Sequence, residues 1–182
     1  MSRRAAIAGT ALAVLALWAW YSQLTVSLPG ETPRPLYLYK EMERRPHTDF
    51  DVVLPAVPVG MAHLRDGEAV LLVHYWAPWE RHSALQAAAL DSLRRLERFE
   101  RLRAVVVCFD PYPSVARFVA RHGLRVSVLL DHDRRLREVL PCPSVPFTYV
   151  IDRAGRVAIA QPGQVDWLAA ETRAALARLL EE

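Results

Sequence analysis

The residues best placed for chemistry are Glu80, Arg81, His82 and Ser83. They follow an apolar run, Val73-His74-Tyr75-Trp76, and an aromatic turn, Ala77-Pro78-Trp79, and they open a helical pattern. A carboxylate at a helix N-terminus meets free backbone N–H groups and the positive end of the helix dipole, so Glu80 makes a good cap. Two readings of it stand side by side. In one, Glu80 only satisfies backbone donors. In the other, Glu80, His82 and His74 form a small polar site, with the ionisation of His74 set by desolvation against a nearby carboxylate. Metal capture is not expected, because it needs three or four convergent ligands and Glu80 with His82 supplies at most two from one turn. No cofactor is called for.

The chain has two cysteines. Cys108 lies in the apolar run Ala104-Val105-Val106-Val107-Cys108 and reads as a buried small hydrophobe. Cys142 lies in the loop Leu140-Pro141-Cys142-Pro143, a few residues before Pro146, and is the candidate for an exposed thiol. Used alone, it is the route by which this chain would act as a thiol-dependent enzyme. Trp76 is expected in the core and Trp79 half-exposed, a residue type favoured as an interface anchor.

These residues need elements to position them, and the composition sets the scale. The chain has 182 residues, 52% of them apolar, enough for one proper core and therefore one domain. The net charge of +3 is modest, and Lys40 is the only lysine. Arg94, Arg95, Arg98, Arg101 and Arg103 recur beside Glu97 and Glu100 in a helical pattern, which reads as a solvated, salt-bridged face and not as a nucleic-acid surface.

Residues 1–28 are expected to be an uncleaved signal-anchor. Arg3 and Arg4 precede an uncharged stretch from Ala5 that runs on to Val26, about 22 residues and long enough to cross a bilayer core of about 30 Å. The two arginines favour a cytoplasmic N-terminus, and Trp18, Trp20 and Tyr21 suit an interfacial belt. A cleaved signal peptide is the competing reading, but no clear small-x-small site follows the run. Either way the remainder is exported to the periplasm or extracytoplasmic space. Residues 29–50, rich in proline and charge, suit a semi-rigid spacer, and residues 51–182 form the domain.

Within the domain, Asp49 to Met61 reads as an edge strand or hairpin. Ala69 to Tyr75 is an apolar, branched run suited to a central strand covered on both faces. Ser83 to Phe99 is expected to be a helix, with Leu85, Ala89, Leu93 and Leu96 on one face and Leu90 and Phe99 extending it. Arg103 to Phe109 is a second buried strand. Pro113 to His122 is a helix with Gly123 at its C-cap. Val126 to Leu130 is a short strand and Asp133 to Leu140 a short helix. Phe147 to Ile151 and Val157 to Ala160 form a hairpin around Asp152-Arg153-Ala154-Gly155, and Asp166 to Leu180 is a closing amphipathic helix. This order implies a mixed sheet with helices on both faces.

Over Val52 to Leu180 the chain resembles the thioredoxin fold, and within it the membrane-anchored TlpA/ResA-like proteins of the bacterial periplasm. The matching residues are Leu71 to Trp79, for the family's strand and Trp-Ala-x-Trp turn, and Val145-Pro146-Phe147 through Val157, for its proline loop and hairpin. The resemblance implies a three-layer α/β/α sandwich with a mixed central sheet and a cis Pro146 packed against the first turn of the helix at Ser83. It also implies that the family's two active cysteines correspond to Glu80 and Ser83, and that His74 stands where many relatives carry a buried acid. A dithiol switch needs one thiolate to attack and a second thiol to resolve the mixed disulfide. A carboxylate and a hydroxyl make no S–S bond, so Glu80 and Ser83 read as a vestigial site. In this fold Cys108 and Cys142 fall on opposite sides of the central strand and are expected unpaired.

The expectation is therefore a redox-inactive, membrane-tethered thioredoxin-like protein that binds a protein partner, as a subunit or assembly factor. The contact surface would be the groove of Trp79, Glu80, Arg81, His82, Val145 and Pro146, with Val145 offering backbone hydrogen bonds to an extended segment. The alternative is a thiol–disulfide oxidoreductase or thiol-dependent enzyme using Cys142 alone.

Overall fold

The structure is a computed structural model that describes residues 32–38, 45–80, 83–96 and 99–182. Its strands are β1 (Asp51–Val57), β2 (Met61–Arg65), β3 (Leu71–Tyr75), β4 (Arg103–Cys108), β5 (Ser127–Leu130), β6 (Phe147–Ile151) and β7 (Val157–Pro162). Its helices are α1 (Ser83–Arg94), α2 (Tyr112–His122), α3 (Arg135–Val139) and α4 (Ala170–Glu181). The strands form one sheet in the order β2-β1-β5-β4-β3-β6-β7. The pairs β3–β4 and β4–β5 are parallel, and the remaining pairs are antiparallel.

The central position of β3 follows from its sequence. All five residues, Leu-Leu-Val-His-Tyr, are buried, as expected of an unalternating apolar run covered on both faces. Leu72 and Trp76 turn into the larger core, which takes Ala87, Leu90 and Leu93 from α1, Val115 from α2, and Leu176 and Leu179 from α4. Leu71, Val73 and Tyr75 turn into a second core, where α3 contributes Leu136. The sandwich is thus uneven, with three helices on one face and one five-residue helix on the other.

Two turns show why glycine stands where it does. Gly123 ends α2 in the left-handed region at φ 58°, a conformation that costs a side chain dearly. Gly155 closes the β6–β7 turn at φ 70°, and a Cβ there would lie 2.9 Å from the Asp66 carboxylate.

Three expectations need correction. Helix α1 ends at Arg94, and Phe99 is buried in the turn that follows, bonding its N–H to the Leu96 carbonyl at 2.8 Å. Leu85 is 68% exposed, because the buried face of α1 runs through Gln86, Ala87, Leu90 and Leu93. Gln86 holds a core position by accepting the Val165 N–H (3.0 Å) and the Trp167 indole N–H (3.1 Å) and donating to the Val165 carbonyl (3.1 Å). Finally, residues 32–38 and 45–50, expected in a spacer, are seated on the domain. Leu36 is 2% exposed, its N–H donates to Thr172 Oγ1 at 3.0 Å, and Arg34 bridges to Val165.

The anchor expected over residues 1–28 lies outside the described residues. Among the described residues no helix is long and apolar enough to cross a membrane.

Candidate functional site

At the C-terminal end of β3 the chain leaves the sheet through Trp76, whose N–H donates to the Val107 carbonyl at 3.0 Å and prolongs the parallel ladder by one step. The indole of Trp76 is buried, as expected, against Phe118 with ring centroids 4.7 Å apart. The chain then turns, with the Glu80 N–H donating to the Ala77 carbonyl at 3.1 Å. Glu80 is itself buried. Trp79, at the crest of this turn, is 53% exposed. It stands between two hollows. One, of about 300 Å³, is walled by Ala77, Phe109, Asp110, Arg137, Ser144 and Val145. The other, of about 310 Å³, lies over Asp110, Ser114, Arg117, Phe118 and Arg121.

The far wall of the first hollow is the loop Pro141 to Val145, and the second core holds it in place. The Tyr75 hydroxyl donates to the Leu140 carbonyl (2.9 Å) and the Tyr149 hydroxyl to the Pro141 carbonyl (2.6 Å). Burial pushes the Tyr75 phenol well above its ordinary range, so it remains a donor. Arg137 donates to the Cys142 carbonyl at 3.0 Å, with its guanidinium carbon 5.1 Å from the centre of the Phe109 ring. Arg137 is positioned in turn by buried Asp131, whose carboxylate accepts the Leu136 and Arg137 N–H groups at 3.2 and 3.0 Å. The Val145–Pro146 bond is cis, as the sequence resemblance implied, and the Pro146 carbonyl accepts the Gly163 N–H at 2.9 Å. A second cis bond precedes Pro58.

The thiols are not available as expected for one of them. Cys142 is 3% exposed, against the expectation of an exposed thiol, because the loop folds its side chain into the second core beside Tyr75 and Tyr149. Its Sγ donates to the Ser144 carbonyl at 3.1 Å. Burial pushes the thiol up to about 12, with Arg137 only partly offsetting it. Cys108 is fully buried in the larger core and also pushed up by burial. Its Sγ lies 3.3 Å from the Asp110 carboxylate, which it meets as a donor. Both cysteines are unpaired, on opposite faces of the sheet.

Of the polar trio of Glu80, His82 and His74, His82 lies outside the described residues, and the hydrogen bond of His74 goes to β6. His74 is 1% exposed, and its Nδ1 shares a 3.0 Å hydrogen bond with Thr148 Oγ1, the residue opposite it on β6. Its ring meets Trp167 edge-on at 5.3 Å. Burial, with no carboxylate contribution, pushes the imidazole down to about 4. Arg81 and His82 lie outside the described residues, and Ser83 is described only as the first residue of α1. Among the described residues no three His, Cys, Asp or Glu side chains converge as metal ligands would.

Trp79 and Val145 therefore meet across one hollow as the sequence suggested. The reading of the sequence missed Arg137, Asp110, Tyr75 and Tyr149. The only signal for the tyrosines was their place in two buried strands, Tyr75 at the end of β3 and Tyr149 in the middle of β6.

No protein-family model matches this sequence, and no curated protein does. Solved structures do. A candidate thiol:disulfide interchange protein, DsbE, from Chlorobium tepidum superposes with a TM-score of 0.66 at 18% identity, covering 75% of this chain and 97% of that one. A candidate thioredoxin from Neisseria meningitidis gives 0.61 at 18% identity over 72% and 90% of the two chains. StoA from Bacillus subtilis gives 0.59 at 12% over 73% and 99%. With the mixed sheet, the cis Pro146 and the aromatic turn at Trp76 to Trp79 in view, this likeness shows that the chain has a thioredoxin-like fold.

Proposed function

We propose that this domain binds an extended segment of a protein partner in the groove between Trp79 and Val145-Pro146, and that it carries out no thiol–disulfide exchange. The observation that carries the reading is Trp79, a large indole more than half exposed on the rim of a hollow. Aromatic anchors of this kind dominate recognition surfaces. Val145, half-buried just ahead of β6, offers its backbone to an extended chain in the manner of an added strand.

By the resemblance, Glu80 and Ser83 stand where a dithiol would, and oxygen forms no mixed disulfide. The remaining candidate nucleophile, Cys142, is buried and pushed up to about 12, which leaves it almost wholly protonated near neutral pH. Residues 1–28 would tether the domain to the cytoplasmic membrane as a single pass, with the domain on the periplasmic side, where it serves as a subunit or assembly factor of a membrane complex.

The test is affinity purification of the full chain from detergent-solubilised membranes, comparing the native chain with Trp79→Asp and Val145→Asp. Both variants are expected to lose the co-purifying protein, and an unchanged set of partners would show the groove assignment to be wrong. In parallel, purified chain is expected to leave the reduction of a disulfide substrate by dithiothreitol at its uncatalysed rate. Turnover abolished by Cys142→Ser would instead assign a thiol enzyme.

A further inference from the structure

The second hollow beside Trp79 carries two arginines, Arg117 and Arg121, on successive turns of α2. Several arginines elsewhere are paired with carboxylate: Arg45 and Arg156 with Asp152, Arg95 with Asp91, Arg103 with Glu68, Arg135 with Asp133 and Arg178 with Glu182. Arg117 and Arg121 have no ion pair among the described residues. Arg117 spends its Nε on the Pro113 carbonyl at 3.1 Å and is exposed. Helix α2, Tyr-Pro-Ser-Val-Ala-Arg-Phe-Val-Ala-Arg-His, contains no acidic residue. Among the described residues the one carboxylate on this hollow, Asp110, faces the Cys108 thiol at 3.3 Å. Two unpaired guanidinium groups thus flank Phe118 and the exposed face of Trp79.

The spacing selects a ligand. Residues four apart on a helix lie about 6 Å apart along its axis. Alternate side chains of an extended chain lie about 6.6 Å apart and point to the same side. Guanidinium binds carboxylate through two parallel hydrogen bonds. Resting on the groove reading above, we infer that the segment bound across Trp79 is acidic, with carboxylates two residues apart, Glu-x-Glu or Asp-x-Asp, seated on Arg117 and Arg121.

The probes are three fluorescent peptides of equal length and apolar content, carrying Glu-x-Glu, Gln-x-Gln or Lys-x-Lys, titrated by fluorescence polarisation with the full chain in a neutral detergent. The Glu-x-Glu peptide is expected to bind about fivefold more tightly than Gln-x-Gln at low salt, and the preference is expected to shrink toward about 0.5 M salt, where the screening length falls to about 4 Å. Lys-x-Lys is expected to bind weakest. The double variant Arg117→Gln/Arg121→Gln is expected to remove the preference while leaving Gln-x-Gln binding unchanged, and Arg117→Lys/Arg121→Lys to restore part of it. Trp79→Asp is expected to weaken both peptides together.

Equal binding of Glu and Gln peptides, with Trp79 still required, overturns the acidic assignment and leaves the groove standing. Binding of the Glu peptide that ignores Trp79→Asp removes the groove reading and this inference with it, as does absence of binding by the Glu peptide. If the arginine variants alter only association with phosphatidylglycerol vesicles and not peptide preference, the face reads lipid and the inference falls.

Discussion

On one side of β3, Leu72, His74 and Trp76 turn toward α1 and α4, and on the other, Leu71, Val73 and Tyr75 turn toward α3 and the Pro141 to Val145 loop. The first side is held by apolar mass and leaves His74 Nε2 and Trp76 Nε1 buried without hydrogen-bond partners among the described residues. The second side is smaller and spends its phenols on loop carbonyls, Tyr75 on Leu140 and Tyr149 on Pro141. The difference divides the labour of the fold. Packing on the large face makes the scaffold, and directional bonds on the small face fix one wall of the groove.

Removing packing on the large face is the severest way to break this contrast. Phe99→Ala, at a fully buried ring, is expected to cost about 3–5 kcal/mol in urea denaturation, while peptide binding stays intact wherever the protein remains folded. Acid acts on the same face. The folded His74 imidazole is held at about 4 by burial, and the unfolded one titrates near 6.5. The unfolded chain therefore takes up the proton first, so stability present above about 6.5 drains away as the pH falls toward 4, by roughly 3 kcal/mol. His74→Leu is expected to flatten that slope in denaturation midpoints measured at several pH values, and an unchanged slope would remove His74 as its source.

The small face should answer differently. Tyr75→Phe leaves the Leu140 carbonyl unsatisfied and is expected to cost about 1–2 kcal/mol. Its clearer mark is faster amide exchange in the Pro141 to Val145 loop and weaker groove binding, neither of which Phe99→Ala should produce in the folded state. The smallest signal belongs to the thiols. Raised to about 12, Cys142 should react with a maleimide about a thousandfold more slowly than a free thiol, with labelling appearing only in denaturant. Prompt native labelling would mean that the loop opens.

What could be read from the sequence followed the strength of local signals. The run Leu71 to Tyr75 and the hairpin about Asp152 to Gly155 carry their own structure, as β3 and the β6–β7 turn show. The phase of α1 did not, because a polar residue, Gln86, occupies a core position whose partners Val165 and Trp167 are far away in the chain. Cys142 looked exposed between two prolines because burial there depends on Tyr75 and Tyr149 drawing the loop inward. For the candidate site, Trp79 and Val145 were legible as types, whereas Arg117 and Arg121 stand out only once the fold sets them beside Trp79 on one hollow.

The segment entering the domain has one more property. Arg45 is buried between Asp152 (2.9 Å) and Glu182 (2.6 Å), the Pro46 carbonyl accepts the Val157 N–H at 2.8 Å, and the Thr48 N–H donates to the Gly155 carbonyl at 2.8 Å. Tension applied to the chain ahead of residue 32 is thus met first where Arg34 and Leu36 bond to Gln164, Asp166 and Thr172, and only behind them by the β6–β7 turn and the last turn of α4. Because Gly163, beside the Gln164 that holds Arg34, also bonds the Pro146 carbonyl at 2.9 Å, the entry segment is linked to the groove wall through a single short stretch of chain.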